Sequence, residues 1–160
     1  MTKISVITPV YNEEKNIKVF LKRIISTLEK ITNEYEIIFA LDPSKDKTEE
    51  LILEEIEKNK RIKLIVFSRR FGQPSATMAG LKFSTGECTV IIDCDLQDPP
   101  ELINDMYSKM LDGFDVVYAK RKSRKGETSI KKLITKLGYS LINKISDIDI
   151  PKSTGDFRIM

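Results

Sequence analysis

Apolar residues along this chain recur at two spacings. Lys3–Thr8 (KISVIT) alternates in the manner of a strand, whereas Ile17, Phe20, Leu21, Ile24, Ile25 and Leu28 share one face of a helix over Asn16–Lys30. Tyr35–Asp42 is almost continuously apolar, the mark of a strand buried on both faces. Ser44 or Asp46 can cap a helix running to Lys58, in which Leu51, Ile52, Glu55 and Ile56 give a half-exposed pattern. Ile62–Ser68 predicts a third strand, Ser75–Phe83 a short helix and Cys88–Asp93 a fourth strand. Pro99 and Pro100 open a helix to Leu111, since proline is tolerated in the first turn, and Asp115–Tyr118 predicts a fifth strand.

Strands alternating with helices indicate an α/β fold, a mostly parallel sheet flanked by helices. Ligands of such sheets bind beyond the carboxyl ends of the strands. Three polar clusters fall there: Pro9–Glu14 after the first strand, Asp42–Asp46 after the second and Asp93–Asp98 after the fourth. Their coincidence predicts one composite site.

Composition narrows the chemistry. The 160 residues, 41% hydrophobic and 32% charged, suit one globular domain. No apolar run approaches the ~18 residues that span a bilayer, and no signal peptide is visible, so the expectation is a soluble, cytoplasmic chain. The absence of histidine excludes His-dependent triads, His general bases and His-ligated zinc. Cys88 and Cys94 lack zinc-type spacing and are expected as buried free thiols of a reducing compartment. The chemistry must rest on carboxylates, Arg and Lys, backbone amides or a bound metal. The net charge of +3 is uneven: Lys120–Lys144 holds nine basic residues and one acid, a local +8 that leaves −5 elsewhere. That asymmetry suggests an anionic partner.

Asp93-Cys94-Asp95 closes the fourth strand, where alternation puts both carboxylates on one side of the backbone. Two hard oxygen ligands suit Mg²⁺ or Mn²⁺ shared with a diphosphate. Alone, Asp-x-Asp also describes a solvated loop; its place after a buried strand favours the ligand reading. Pro9, Tyr11, Asn12 and Glu14 combine a rigid turn, an aromatic face and hydrogen-bonding groups suited to a nucleobase, although a proline turn before a helix explains them equally. Asp42 is placed to hold a ribose hydroxyl. Ser68-Arg69-Arg70-Phe71-Gly72-Gln73 supplies cations and a glycine turn before a helix N-terminus, a phosphate-facing loop, with a surface salt bridge the alternative for one arginine.

Three strings together resemble a known family: Val6-Ile7-Thr8-Pro9-Val10-Tyr11-Asn12-Glu13-Glu14, Asp93-Cys94-Asp95-Leu96-Gln97-Asp98-Pro99-Pro100-Glu101 and Thr154-Gly155-Asp156-Phe157-Arg158. They resemble family 2 glycosyltransferases of the GT-A fold, a Rossmann-like nucleotide-diphospho-sugar transferase architecture. Within these the chain is most similar to the polyprenyl-phosphate branch that includes dolichyl-phosphate mannose synthase. The resemblance implies that Pro9, Tyr11, Glu14 and Asp42 contact the nucleotide, that Asp93 and Asp95 hold a divalent metal and the diphosphate, and that Gln97 faces the donor sugar. It also implies a catalytic role for Asp156, with Arg158 beside it. The family often carries Asp-Asp-Gly-Ser after the second strand; Asp42-Pro43-Ser44 lacks the second acid. Such relatives continue into an interface helix and transmembrane helices, so the last residues here read as a truncation.

The implied reaction moves a sugar, with inversion, from a nucleotide sugar (a UDP-sugar is favoured) to a polyprenyl phosphate of the undecaprenyl type. Residues 1–119 would form the nucleotide-sugar core and residues 120–160 a basic, acceptor- and membrane-facing segment of the same domain. Arg121 and Arg124 are the candidates for the acceptor phosphate. Ile130, Leu133, Ile134, Leu137, Leu141, Ile142 and Ile145 recur at helical spacing among lysines, as in a helix lying on an anionic membrane surface or packed on the sheet. The parent protein would then work at the cytoplasmic face of the membrane. Only Tyr139 interleaves the charges, which argues against nucleic acid. Two alternatives are a family 2 transferase acting on a saccharide in cell-surface polysaccharide synthesis, and a non-catalytic nucleotide-binding fragment. A homo-oligomer is open.

Overall fold

A computed structural model describes residues 2–120 and 154–160. The chain runs β1 (Ile4–Val10), α1 (Ile17–Leu28), β2 (Tyr35–Leu41), α2 (Thr48–Lys58), β3 (Ile62–Val66), α3 (Gln73–Phe83), β4 (Cys88–Ile91), α4 (Ile103–Leu111), β5 (Val117–Lys120) and β6 (Thr154–Ile159). A 3₁₀ turn at Pro100–Leu102 leads into α4. The strands form one mixed sheet in the order β3-β2-β1-β4-β6-β5, flanked by the four helices. β1 pairs in parallel with β2 and β4, and β2 with β3. β6 runs antiparallel to β4, with Val90 opposite Ile159 and Ile91 opposite Arg158. Asp156–Met160 thereby belongs to the same compact unit as Met1–Tyr118.

Burial follows the periodicities. Every residue of β2 is buried, as its apolar run requires. α1 buries Ile17, Phe20, Leu21, Ile24 and Leu28, and Phe20 meets Phe39 of β2 edge-on at 6.2 Å between centroids. α2 buries only Thr48 and Ile52, in keeping with its mixed pattern. α3 lies so close to β1 that a Cβ on Gly80 would stand 2.3 Å from Ile7 Cγ2. Cys88 and Cys94 are buried free thiols.

The most buried acid among the described residues is Glu36, 2% exposed near the amino end of β2. It accepts hydrogen bonds from Ser5 Oγ (2.6 Å), from Thr85 N and Oγ1 (2.7 and 2.9 Å) and from Lys63 Nζ. Ser5 Oγ in turn accepts from Gly86 N at 2.8 Å, and a Cβ on Gly86 would lie within 2.8 Å of Ser5 and Lys3 O. Burial alone would push this carboxyl up, but the bonds from Lys63, Ser5 and Thr85 outweigh it and bring it down to about 2. The cluster ties β1, β2, β3 and the loop before β4 together near the amino ends of the strands.

The structure departs from the sequence expectations at several ends. β4 stops at Ile91, so Asp93 and Asp95 lie in the turn beyond it. α3 begins at Gln73, because Gly72 adopts φ +85° and reverses the chain directly into a first turn carrying Pro74. β5 begins two residues later than Asp115, and the final residues, expected as a loop and the start of an element, form β6. Among the described residues no helix is long and apolar enough to cross a membrane. Arg121, Arg124 and the amphipathic helix expected within 130–145 lie outside the described residues.

Candidate functional site

Beyond the carboxyl ends of β1, β2 and β4 the chain opens into a cavity of about 290 Å³. Pro9, Val10, Tyr11 and Glu13 line it from the end of β1, Asp42 from β2, Arg70, Gly72, Gln73 and Ala76 from the β3–α3 loop and α3, and Asp93, Cys94 and Asp95 from the β4 turn.

Asp42 shapes the base of this wall. It is 4% exposed, and its two carboxylate oxygens accept the backbone N–H groups of Phe71 (3.0 Å) and Gly72 (2.9 Å). The acid thereby clamps the β3–α3 loop to the end of β2, a fixed position for a loop with no helix or strand of its own. Once held, the loop lays the Arg70 guanidinium 4.0 Å above the Tyr11 ring, a cation–π contact. Its neighbour Arg69 stacks on Phe71 at 4.4 Å instead, so only one of the two arginines lines the cavity.

Asn12 and Glu14 are placed differently. Asn12, at φ 55°, accepts from Lys45 N and donates its own N–H to Ser44 Oγ. Glu14 accepts from Lys47 N, and its N–H donates to Asp46. Asp46 also takes the N–H and hydroxyl of Thr48 at the start of α2, although the N-cap of that helix is Lys47 and neither Ser44 nor Asp46 occupies it as the sequence suggested. Asn12 and Glu14 therefore join the loops after β1 and β2 and do not line the cavity.

The acidic side of the site is a cluster. Asp95 Oδ1 accepts from Gln97 N at 3.0 Å, the turn that Leu96 completes at φ 62°. Gln97 is exposed and lies outside the cavity wall. Asp156, on β6, comes to the cluster through Gln73: the side-chain amide donates to Asp93 Oδ1 and Oδ2 (2.9 and 3.2 Å) and to Asp156 Oδ2 (3.1 Å). Arg158 Nη2 reaches Asp156 Oδ1 at 3.4 Å. Burial, then repulsion from Asp95 and Asp156, pushes the Asp93 carboxyl up to about 6, against the bond from Gln73. Bidentate bonds from Arg23 of α1 to Glu101 (2.9 and 2.6 Å) anchor the far end of the turn.

Crowded carboxylates of this kind suit a hard divalent cation. Among the described residues no group of three or more Asp, Glu, Cys or His is arranged to hold a metal by itself, so a cation here would rest on Asp93 and Asp95 and take its remaining ligands from what it binds. Sequence reasoning found Asp93, Asp95 and Asp156 but passed over Gln73 and Glu13. Gln73 stood in a segment read for its arginines and glycine; the 83-residue separation from Asp156 left no local signal.

The model of glycosyl transferase family 2 matches residues 5–160. The chain belongs to this family. As a member of glycosyl transferase family 2 it is 40% identical over 158 residues to the bactoprenol glucosyl transferase of Shigella phage SfX, covering 99% of this chain and 52% of that protein. The chain spans about half the length of the curated relatives it matches. Among solved structures it resembles S. aureus TarS 1-349 in complex with UDP-GlcNAc, at 27% identity and a TM-score of 0.61 over 79% of this chain and 36% of that one. It also resembles the mannosyltransferase PcManGT from Pyrobaculum calidifontis in complex with GDP-Man and Mn²⁺, at 25% identity and a TM-score of 0.62, covering 75% and 36%. These likenesses agree with the GT-A architecture expected of the family.

Proposed function

We propose that this chain is the donor-binding and catalytic part of an enzyme that transfers a sugar from a nucleoside diphosphate sugar to a polyprenyl phosphate. The observation that carries the reading is the convergence of Asp93, Asp95 and Asp156 beside a cavity walled by Tyr11, Asp42 and Arg70. The word bactoprenol in the name of the phage relative supports a polyprenyl lipid as acceptor, and the UDP-GlcNAc complex of TarS supports a UDP-sugar as donor.

Tyr11 and Arg70 would flank the nucleotide. Asp93 and Asp95 would hold Mg²⁺ or Mn²⁺, which supplies charge neutralisation for the departing diphosphate. An oxygen of the acceptor phosphate, already ionised near neutral pH, forms a bond to the anomeric carbon as the bond from that carbon to the diphosphate breaks, inverting the centre. Asp156 then has no hydroxyl proton to remove; it orients groups and stabilises positive charge developing on the sugar, with Arg158 fixing its carboxylate. Arg121 and Arg124 are assigned to the acceptor phosphate, and the basic segment to the cytoplasmic face of the membrane.

Calorimetric titration of UDP, GDP and CMP, each with and without Mn²⁺, tests the donor half. UDP binding that strengthens with Mn²⁺ and is lost in Asp93→Ala is expected. Metal-independent binding, or none by any of the three, would overturn the assignment. In the complete enzyme, transfer to a saccharide without polyprenyl phosphate would overturn the acceptor.

A further inference from the structure

The β3–α3 loop and the first residue of α3 together touch every strand end around the site. Arg70 rests on Tyr11 after β1, the Phe71 and Gly72 amides sit on Asp42 after β2, and Gln73 reaches Asp93 after β4 and Asp156 on β6. Of these contacts the last is unusual in its donor. A single side-chain amide nitrogen lies within 3.2 Å of three carboxylate oxygens from two acids. Two acids facing one another ordinarily call for a cation between them, and here a neutral dipole occupies that place.

The surroundings fix the backbone that carries this exposed amide. Gly72 at φ +85° aims Gln73 into the site, a backbone geometry that a residue with a Cβ adopts only under strain, and Asp42 holds the Gly72 N–H. Ala76 and Gly80 seat the body of α3 against the sheet, Gly80 on Ile7. Gln73 is thus presented from a clamped loop and a tightly packed helix, the support a precise contact requires. It bonds both oxygens of Asp93, so a cation arriving at that acid competes with the amide for them.

We propose that Gln73 is a positioning residue that ties Asp156 to the diphosphate-side acid Asp93, holding the two carboxylates together at the cost of weaker cation binding before the nucleotide arrives. The proposal rests on the reading of Asp93 and Asp95 as the cation-binding pair. With a dipole in place, the empty site keeps its acids gathered without trapping a dication tightly. When donor and cation enter together, Asp156 is already oriented toward the donor side.

A series at this one position separates such a role from general damage. Gln73→Met keeps length and removes the donor, and Gln73→Lys replaces the dipole with a charge able to bridge the same two acids. Mn²⁺ binding to the nucleotide-free chain, read from the free-ion electron paramagnetic resonance signal, is expected to tighten severalfold in Gln73→Met and to weaken about tenfold or more in Gln73→Lys. In the complete enzyme kcat is expected to fall about tenfold in both, with the donor KM changing less in Gln73→Met. Opposite shifts in Mn²⁺ affinity with a shared loss of kcat support the proposal. Mn²⁺ affinity and kcat falling together in Gln73→Met, or no change in either, overturns it. Gln73→Lys stays informative if Gln73→Met is poorly folded, because Mn²⁺ affinity equal to that of the parent chain then refutes the bridge. If the parent chain binds neither UDP nor Mn²⁺, the reading of Asp93 and Asp95 fails instead, an outcome these variants do not mimic.

Discussion

Replacing Glu36 by Gln tests how much a single buried acid contributes to this sheet. The substitution keeps the shape of the side chain but removes its charge and turns an amide NH₂ toward groups that are themselves donors: Lys63, Ser5 and Thr85. The carboxyl titrates at about 2 in the fold against an ordinary 4.5. At ~1.4 kcal/mol per pH unit this corresponds to about 3 kcal/mol at neutral pH, a large part of the 5–15 kcal/mol that holds a typical domain. Because the folded value is depressed, the contribution is complete above pH 4.5 and drains away as pH falls toward 2. Urea unfolding of both proteins between pH 7 and pH 2.5 measures it. The parent should exceed Glu36→Gln by about 3 kcal/mol at pH 7, with the gap closing below pH 4.5. Other acids with shifted carboxyls, such as Asp46 and Glu101, cancel in the comparison. A gap that stays constant across the range would refute the assignment of the stability to the charged form.

Gly80→Ala should lower the melting temperature, since the new Cβ would press on Ile7 from 2.3 Å; overpacking of this kind costs about 1–3 kcal/mol, or roughly 3–10 °C by calorimetry. Asp42→Asn can no longer accept both the Phe71 and Gly72 amides, so the loop that carries Arg70 and Gln73 is released. UDP affinity should drop about tenfold while the far-ultraviolet dichroism stays that of the parent. Arg70→Ala removes the guanidinium from the face of Tyr11 and should weaken UDP severalfold but leave Mn²⁺ binding intact, which titration of each separately would show. Equal loss of both ligands would place Arg70 elsewhere in the mechanism.

The four parallel strands were legible in different ways: β2 is a long apolar run buried throughout, whereas β1, β3 and β4 are β-rich runs alternating with helical patterns. β6 was not, although Phe157 and Ile159 point inward while Asp156 is exposed. Its alternation is short, includes a glycine, Gly155, as its second residue, and gains its meaning only from β4, far away in sequence. The same distance hid Gln73, whose partners Asp93 and Asp156 lie 20 and 83 residues on. Glu36 was concealed by its setting, since a lone acid inside Tyr35–Leu41 reads as noise in an apolar run until Lys63 and Thr85 are seen around it. Asp42, by contrast, was found for its place at a strand end, yet its observed work is to grip two backbone amides. Position at the edge of a sheet could be read from pattern; what each side chain bonds there could not, because the partners come from loops whose paths tertiary contacts decide.

The insertion of β6 between β4 and β5 also has a consequence for how the protein is made. β4 and β6 are separated by about 60 residues of chain, so at ~5–20 residues per second on the ribosome the flank of β4 that β6 will cover waits about 3–12 s for its neighbour to emerge. During that interval the main-chain amides and carbonyls along β4 are open to any extended segment nearby, including one from a second nascent copy. Asp156 arrives on the strand that closes this gap, so the acid cluster cannot be assembled before the sheet is sealed.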